Sequence, residues 1–370
     1  MLKVLYISNE DRAVGGSSVS LKAMLESLKG KVDPVILFRE DGPACEYFRK
    51  DGYRCEVIPF YRATFRATGW KRILRFIPHA IVRELVQARC VNKARRLFKD
   101  IDLVHSNSGT VDIGHYIAWN GLHVPHVWHI REYMDLGLHV KPFWGWKHWH
   151  KCLDEAFAVI AISRGLFNHL GLIDHICGIC MPDAVCHSDD AILIKEKEPY
   201  VVFLAGIVSD VKRPDDAIRI FAKAGLPGHK LKIVGKLQEG MESRIKTIAK
   251  ECGVEDKLEL IPFTDNVKGL LSKAAALLVC TEYEGMGRVS VEAMFYGCPV
   301  IARNSGGSAD VLEGGKYGQL YDNLDQASKM LRQTVTDTPL EQLEQAEQRA
   351  VNIYSIEKYG DKIMKLYNSL

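Results

Sequence analysis

No stretch of this 370-residue chain approaches the roughly 18 consecutive apolar residues that a membrane-spanning helix needs. The opening MLKVLYISNE turns polar before the core of a secretion signal can form, which predicts a cytoplasmic chain. Low-complexity tracts are absent, and 47% hydrophobic with 26% charged residues excludes disordered and fibrous classes. No Asp-x-Asp pair follows a strand-like segment, so no divalent cation is expected to assist the chemistry. The ten cysteines lack the oxidising context of a secreted protein and read as reduced thiols, several of them in apolar runs such as AAALLVC. Cys177, Cys180 and Cys186, with His175 and His187, could supply soft zinc ligands. The second ligand pair of finger-like spacing is missing, however, and HICGICMPDA reads better as a strand entering a turn.

A net charge of +3 is too small for a nucleic-acid binder, and no recognised binding module accompanies it. The charge is nevertheless uneven. Residues 62–99 hold eleven Lys or Arg against one acid, Glu84. Among them stand Trp70, Ile73, Leu74, Phe76, Ile77, Ile81, Val82, Leu85 and Val86, at spacings that suit helices with an apolar and a basic side. Such a surface fits two settings, a solvated helix face packed on a core or an anionic membrane surface, which would make the protein peripheral at the inner face of the membrane.

Length alone argues for two domains, since single cores rarely grow past roughly 200 residues. Apolar, β-branched segments alternate with longer helical patterns, as parallel βαβ units require. KVLYIS, PVILF, DLVHSN, PHVWHI and AVIAIS form one series. After charged IKEKEP a second begins: YVVFLAG, LKIVG, LELIPF, ALLVC and CPVIA. The junction falls between about Met181 and Pro199. In the first series Gly15 and Gly16 link the first strand to a helix that Ser17 or Ser18 can cap.

The most informative segment is TEYEGMGRVSVEAMFYGCPVIARNSGGSADV, 281–311. It begins where ALLVC ends; Gly285 and Gly287 let backbone approach a ligand, and a helix can run from about Arg288 until Gly297. The N–H groups at that helix start, with its dipole, suit a diphosphate. Glu292 lies one turn beyond Arg288 on the same face, and Glu284 precedes the helix.

Here the chain resembles glycosyltransferase family 4, whose members carry a pair of glutamates with seven residues between them at such a helix, here Glu284 and Glu292. The resemblance covers nearly the whole chain, through the Gly15–Gly16 loop, FLAGIVSDVKRP, the glutamate motif and SGGSAD. It implies an α/β fold of the GT-B type, two Rossmann-like domains facing each other across a deep cleft: an acceptor domain, 1–185, joined by the carboxy-terminal helix 352–370, and a donor domain, 186–351. It implies retaining transfer of a sugar from a UDP- or GDP-sugar to a glycan, lipid-linked or small-molecule acceptor, without a cofactor. By the same resemblance Glu284 holds hydroxyls of the transferred sugar and Glu292 the ribose. Gly15 and Gly16 of the first loop, with Gly285, Met286, Gly287, Arg288 and Val289, line the donor, and Lys212 with Arg213 contacts the diphosphate. Ile207 stands where the family usually has arginine, so neutralisation is left mainly to Lys212. Phe263 and Thr264, in IPFTDN, match the segment near the base. His129 matches the histidine that reaches the transferred sugar, although His105 and His126 lie in similar settings; Arg131 and Glu132 would orient it.

Five of six tryptophans lie between Trp119 and Trp149. Flat rings stack on sugars but more often fill cores, and Trp144, Trp146 and Trp149 are the candidates for shaping acceptor choice. Nucleotide-sugar 2-epimerases share the implied architecture, and a non-catalytic sugar-nucleotide binder is the third reading.

Overall fold

Apolar segments without alternation need both faces of their sheet covered, and the computed structural model shows how this is met. It describes residues 1–10, 12–65 and 70–370. The chain divides into two compact units, 1–183 with 360–370, and 184–359. The last helix, Ile356–Tyr367, starts in the second unit and ends in the first.

The first unit is built on β1 (Leu2–Ile7), β2 (Val32–Phe38), β3 (Arg54–Val57), β4 (Thr64–Phe65), β5 (Leu103–Ser106), β6 (His126–Ile130), β7 (Lys141–Pro142), β8 (Ala158–Ala161) and β9 (Gly178–Cys180). Seven of them form a parallel sheet in the order β3-β2-β1-β5-β6-β8-β9, with β4 and β7 as a separate antiparallel ribbon. Leu5, Ile7, Val35, Leu37 and Val104 build one face of its core with Cys90, Ala94 and Phe98. Strand order reverses between β1 and β5, so their carboxyl ends flank the crevice that doubly wound sheets use for ligands.

The second unit carries β10 (Glu198–Val208), β11 (Lys230–Leu237), β12 (Leu258–Ile261), β13 (Ala274–Val279), β14 (Val300–Arg303) and β15 (Gln319–Tyr321). Their order is β12-β11-β10-β13-β14-β15, all parallel. The reversal lies between β10 and β13. Register shifts between Leu204 and Ile207, and there Gly235, at φ +141°, passes so close that a Cβ would lie 1.9 Å from the Ala205 carbonyl oxygen. Glycine is required at that contact.

β3 and β15, edge strands of four and three residues, escape a periodicity search because so few positions carry no pattern. The basic stretch forms one helix, Trp70–Leu97. Residues 66–69 and the side chains of Trp70, Ile73 and Leu74 lie outside the described residues. Where side chains are described, Ile77, Ile81, Val82 and Leu85 face outward while Arg83 and Gln87 are buried. At Arg83 charge therefore does not mark the solvent side, although Arg89, Lys93, Arg95 and Arg96 further along are exposed.

Candidate active site

In the second unit, Lys212 and Glu284 come from the loops that follow β10 and β13, the two strands at the switch point. Lys212 ends a single 3-10 turn, Asp210–Lys212, and donates from Nζ to Glu284 Oε2 at 2.7 Å. Burial pushes the Glu284 carboxyl up, but the Lys212 charge and hydrogen bonds from Lys212 and Thr281 outweigh it and hold the group below its usual value of 4.5. Arg213 adopts a left-handed conformation, φ 56° and ψ 53°, as the cap of helix Pro214–Ala224. Its Nε donates to Asp216 Oδ2 at 2.6 Å and its Nη1 lies 3.4 Å from Glu282 Oε2, so carboxylates already match its charge.

Gly287, at φ 89°, caps helix Arg288–Phe295. Behind this loop lies SGGSAD. The Gly307 N–H donates to the Glu284 carbonyl at 2.7 Å, and a Cβ on Gly307 would sit 2.4 Å from Met286 Cα. Gly306, at φ 56°, leaves no more room, its Cβ position being 2.7 Å from the Glu284 carbonyl oxygen. The two glycines thus let one backbone rest on another and fix the loop that presents Glu284. Ser308, not singled out from the sequence, places a buried hydroxyl 2.9 Å from the Cβ position of Gly287, with no hydrogen-bond partner among the described residues.

On the helix itself, Arg288 donates to the Ala184 carbonyl at 2.9 Å and lies 4.0 Å from Glu292. Burial raises the Glu292 carboxyl and Arg288 only partly offsets it. The Val289 backbone belongs to the first turn, beside Gly287. Phe263 and Thr264 follow β12, at the sheet edge. Phe263 is 61% exposed, and Thr264 Oγ1 accepts from the Asn266 N–H.

In the first unit, His129 is the penultimate residue of β6 and is wholly buried. Its Nδ1 accepts from Arg131 Nη2 at 3.2 Å; arginine only donates, so the neutral ring carries its proton on Nε2. That Nε2 lies 3.4 Å from Asp183 Oδ1 without forming a hydrogen bond. Arg131 is paired with Asp183 and donates from Nε to Asn107 Oδ1 at 3.0 Å. On the other side His105 Nε2 is 3.3 Å from His129 Nδ1, and His105 Nδ1 meets the Tyr367 hydroxyl at 2.7 Å. Burial first, then neighbouring cationic groups, drives both histidines well below their ordinary value. His126 instead bonds Ser106 Oγ at 2.9 Å. Glu132 binds the Ser108 hydroxyl and the Thr110 N–H and does not reach the ring. Sequence spacing missed Asp183 and Asn107, which lie on separate elements.

Gly15 and Gly16 belong to this unit. The Gly15 and Ser18 N–H groups both donate to Glu10 Oε2, at 2.9 and 3.0 Å, so a carboxylate of the chain itself caps helix Gly16–Ser27. The side-chain caps expected from Ser17 or Ser18 are not formed there. Of the tryptophans, Trp149 is 2% exposed, tilted against Trp128 and edge-on to Trp146, so its ring is part of the core of the first unit. Trp146 is partly buried and Trp144 exposed. The cysteine–histidine cluster is otherwise engaged: His175 with Asp154, His187 with Glu357, Cys186 with Tyr296. Among the described residues no group of three or more His, Cys, Asp or Glu is arranged to hold a metal ion.

Similarity to known proteins now adds to this geometry. Along its full length the chain superposes on Anabaena HepE (Alr3699) in complex with UDP and glucose, with a TM-score of 0.79, 17% identity and 100% of each chain covered. A mutant S. aureus TarM, solved with Fondaparinux, alpha-GlcNAc-glycerol and UDP, gives 0.75 at 14% identity, again over 100% of each chain. The two Rossmann-like parallel sheets therefore constitute a GT-B fold. Residues 187–352 match the sequence model of the family described as Glycosyl transferases group 1. The N-acetyl-alpha-D-glucosaminyl L-malate synthase of Bacillus anthracis is 32% identical over 131 residues, 35% of this chain and 33% of that protein. An uncharacterized glycosyltransferase of Haemophilus influenzae is 35% identical over 78 residues, 21% of this chain and 22% of its own. The aligned stretches thus span a third or less of these relatives.

Proposed function

We propose that the protein is a retaining glycosyltransferase that moves a sugar from a UDP- or GDP-sugar to a glycan, lipid-linked or small-molecule acceptor, with the donor held by the second unit and the acceptor by the first. The observation that carries this is the Lys212–Glu284 pair, set at the switch point of the second sheet beside a glycine-led helix start. The donor diphosphate lies against the first turn of Arg288–Phe295, near the backbone of Gly285, Met286, Gly287 and Val289. Lys212 exchanges Glu284 for a phosphate oxygen, and the freed carboxylate accepts hydroxyl hydrogen bonds from the sugar. Glu292, one turn on, takes the ribose, and exposed Phe263 with Thr264 offers a face for the base.

In the reaction the acceptor oxygen bonds to the anomeric carbon while the bond from that carbon to the phosphate oxygen breaks. The departing diphosphate takes the acceptor proton on the same face, so configuration is retained. Positive charge from Lys212 and the helix start stabilises the leaving group, with no metal ion.

Thermal unfolding against UDP, GDP, ADP and their sugars tests the reading. A matching nucleotide at 100 times its dissociation constant adds about 2.7 kcal/mol. Lys212→Ala should abolish most of that gain, and a glycosidic product should form only when acceptor is supplied. Interconversion of the free nucleotide sugar without acceptor would identify an epimerase instead. Unchanged donor binding and turnover in Glu284→Ala and Glu292→Ala would remove the site assignment.

A further inference from the structure

Helix Trp70–Leu97 turns inward residues that a simple cover for a sheet would turn outward. Arg83 and Gln87 are buried, the first paired with Asp112 and the second donating to Asp112 Oδ1 at 3.2 Å. On the opposite face stand Ile77, 70% exposed, Ile81, 57%, Val82, 47%, and Leu85, 55%. Ile77, Ile81 and Leu85 follow at i, i+4 and i+8 and so form one stripe. The fold does not use these side chains. At Arg83 and Gln87 polar atoms take inner places while aliphatic carbon stands outside, although Cys90, Val91 and Ala94 further along the same helix enter the core.

The same outer face continues toward the carboxyl end as exposed Arg89, Lys93 and Arg96. Glu84, the one acid of the helix, is held by Arg83 and by the indole N–H of Trp144 at 3.1 Å. Trp144 is 39% exposed and therefore borders the apolar stripe with its polar edge anchored. From Ile77 to Arg96 the helix extends about 29 Å. No helix among the described residues is long and apolar enough to cross a membrane.

An apolar stripe, a cationic end without ion-pair partners among the described residues and a border tryptophan match the two layers of an anionic lipid surface, hydrocarbon below and phosphate above. We propose that this helix docks in the plane of an anionic bilayer. Ile77, Ile81, Val82 and Leu85 enter the boundary between headgroups and acyl chains, while Arg89, Lys93 and Arg96 meet lipid phosphates. Nucleic acid would leave the aliphatic stripe without a counterpart. The docking is independent of the donor reading, because none of its residues belongs to the donor or catalytic set.

The test is flotation of the full-length protein with vesicles of phosphatidylcholine alone or mixed with phosphatidylglycerol. The protein should float only with the anionic vesicles, less so as salt rises, with a blue shift of tryptophan emission. Replacing Arg89, Lys93 and Arg96 together by glutamine should weaken partitioning on the order of a hundredfold, from about fivefold per basic residue. Ile81→Asp with Leu85→Asp should lower it at least about tenfold at low salt, with an unchanged melting temperature showing that the fold survives. The proposal is overturned if the protein fails to float with anionic vesicles, or if the double aspartate variant floats like the parent. It is equally overturned if sedimentation shows a dimer that the double variant dissolves without any vesicle binding, which would make a second copy the occupant.

Discussion

Lys212 and Glu284 neutralise each other across 2.7 Å, and the loss of either leaves its partner in a half-buried loop with an unmatched charge. Because the folded-state pKa of Glu284 is depressed, its ionisation stabilises the fold above the usual carboxylate value of 4.5, and that contribution fades as pH falls through the lower folded value. In Lys212→Ala only the hydrogen bond from Thr281 still opposes burial, and denaturant unfolding should show that acid-side loss shrink. The buried histidines titrate in the opposite sense to a paired one. His105, His126 and His129 all have folded values well below 6.5, so the unfolded chain binds more protons and stability falls as pH drops below about that value. Each replacement by glutamine should reduce the slope by about 1.4 kcal/mol per pH unit in that range. At the motif loop, Gly307→Ala forces a Cβ to within 2.4 Å of Met286 Cα, whereas a Cβ on Gly206 meets nothing within 4 Å. The first substitution should cost on the order of 1–3 kcal/mol and weaken UDP or GDP binding, while the second, measured in parallel, should leave both nearly unchanged.

At the scale of elements, helix Trp70–Leu97 allows a direct comparison of inside and outside. Arg83→Met strands the buried Asp112 carboxylate, whose pKa burial already raises, and should destabilise the first unit by about 3–5 kcal/mol. Ile81→Asp, on the opposite face, should stay within about 0.5 kcal/mol in urea unfolding. A sequence period of 3.6 announces that two faces exist but not which one meets the sheet. That choice was made by Asp112, on a loop 29 residues after Arg83. Strand detection divides in a similar way. Runs such as VVFLAG are long enough to declare themselves, but Gln319–Tyr321 becomes a strand only because Arg303 and its neighbours offer a paired edge.

For the whole molecule, the first unit is discontinuous, and its last piece is the segment after Tyr359. Gly360 presses against Ser27, a Cβ there lying 2.3 Å from the Ser27 carbonyl oxygen, while Ile363 and Tyr367 are buried. The Tyr367 hydroxyl joins His105 to Tyr6. Ending the chain at Tyr359 should remove on the order of 3–6 kcal/mol of apolar burial from the first unit. Limited proteolysis followed by mass mapping should then show 1–183 cleaved while 184–359 stays protected.

By itself the sequence determined the two βαβ series, the parallel sheets and the motif Glu284–Glu292, because strand hydrophobicity, glycine and helix caps act over a few residues. It also placed Lys212 in a loop after a strand. Only the tertiary structure decided that Lys212 meets Glu284, that Asp183 and His105 flank His129, that Trp149 is core, and that Gly306 and Gly307 support the motif loop. Those contacts join elements whose spacing along the chain carries no signal. They are set by strand order, which brings the ends of β10 and β13 together, and by the depth to which each side chain is taken out of water.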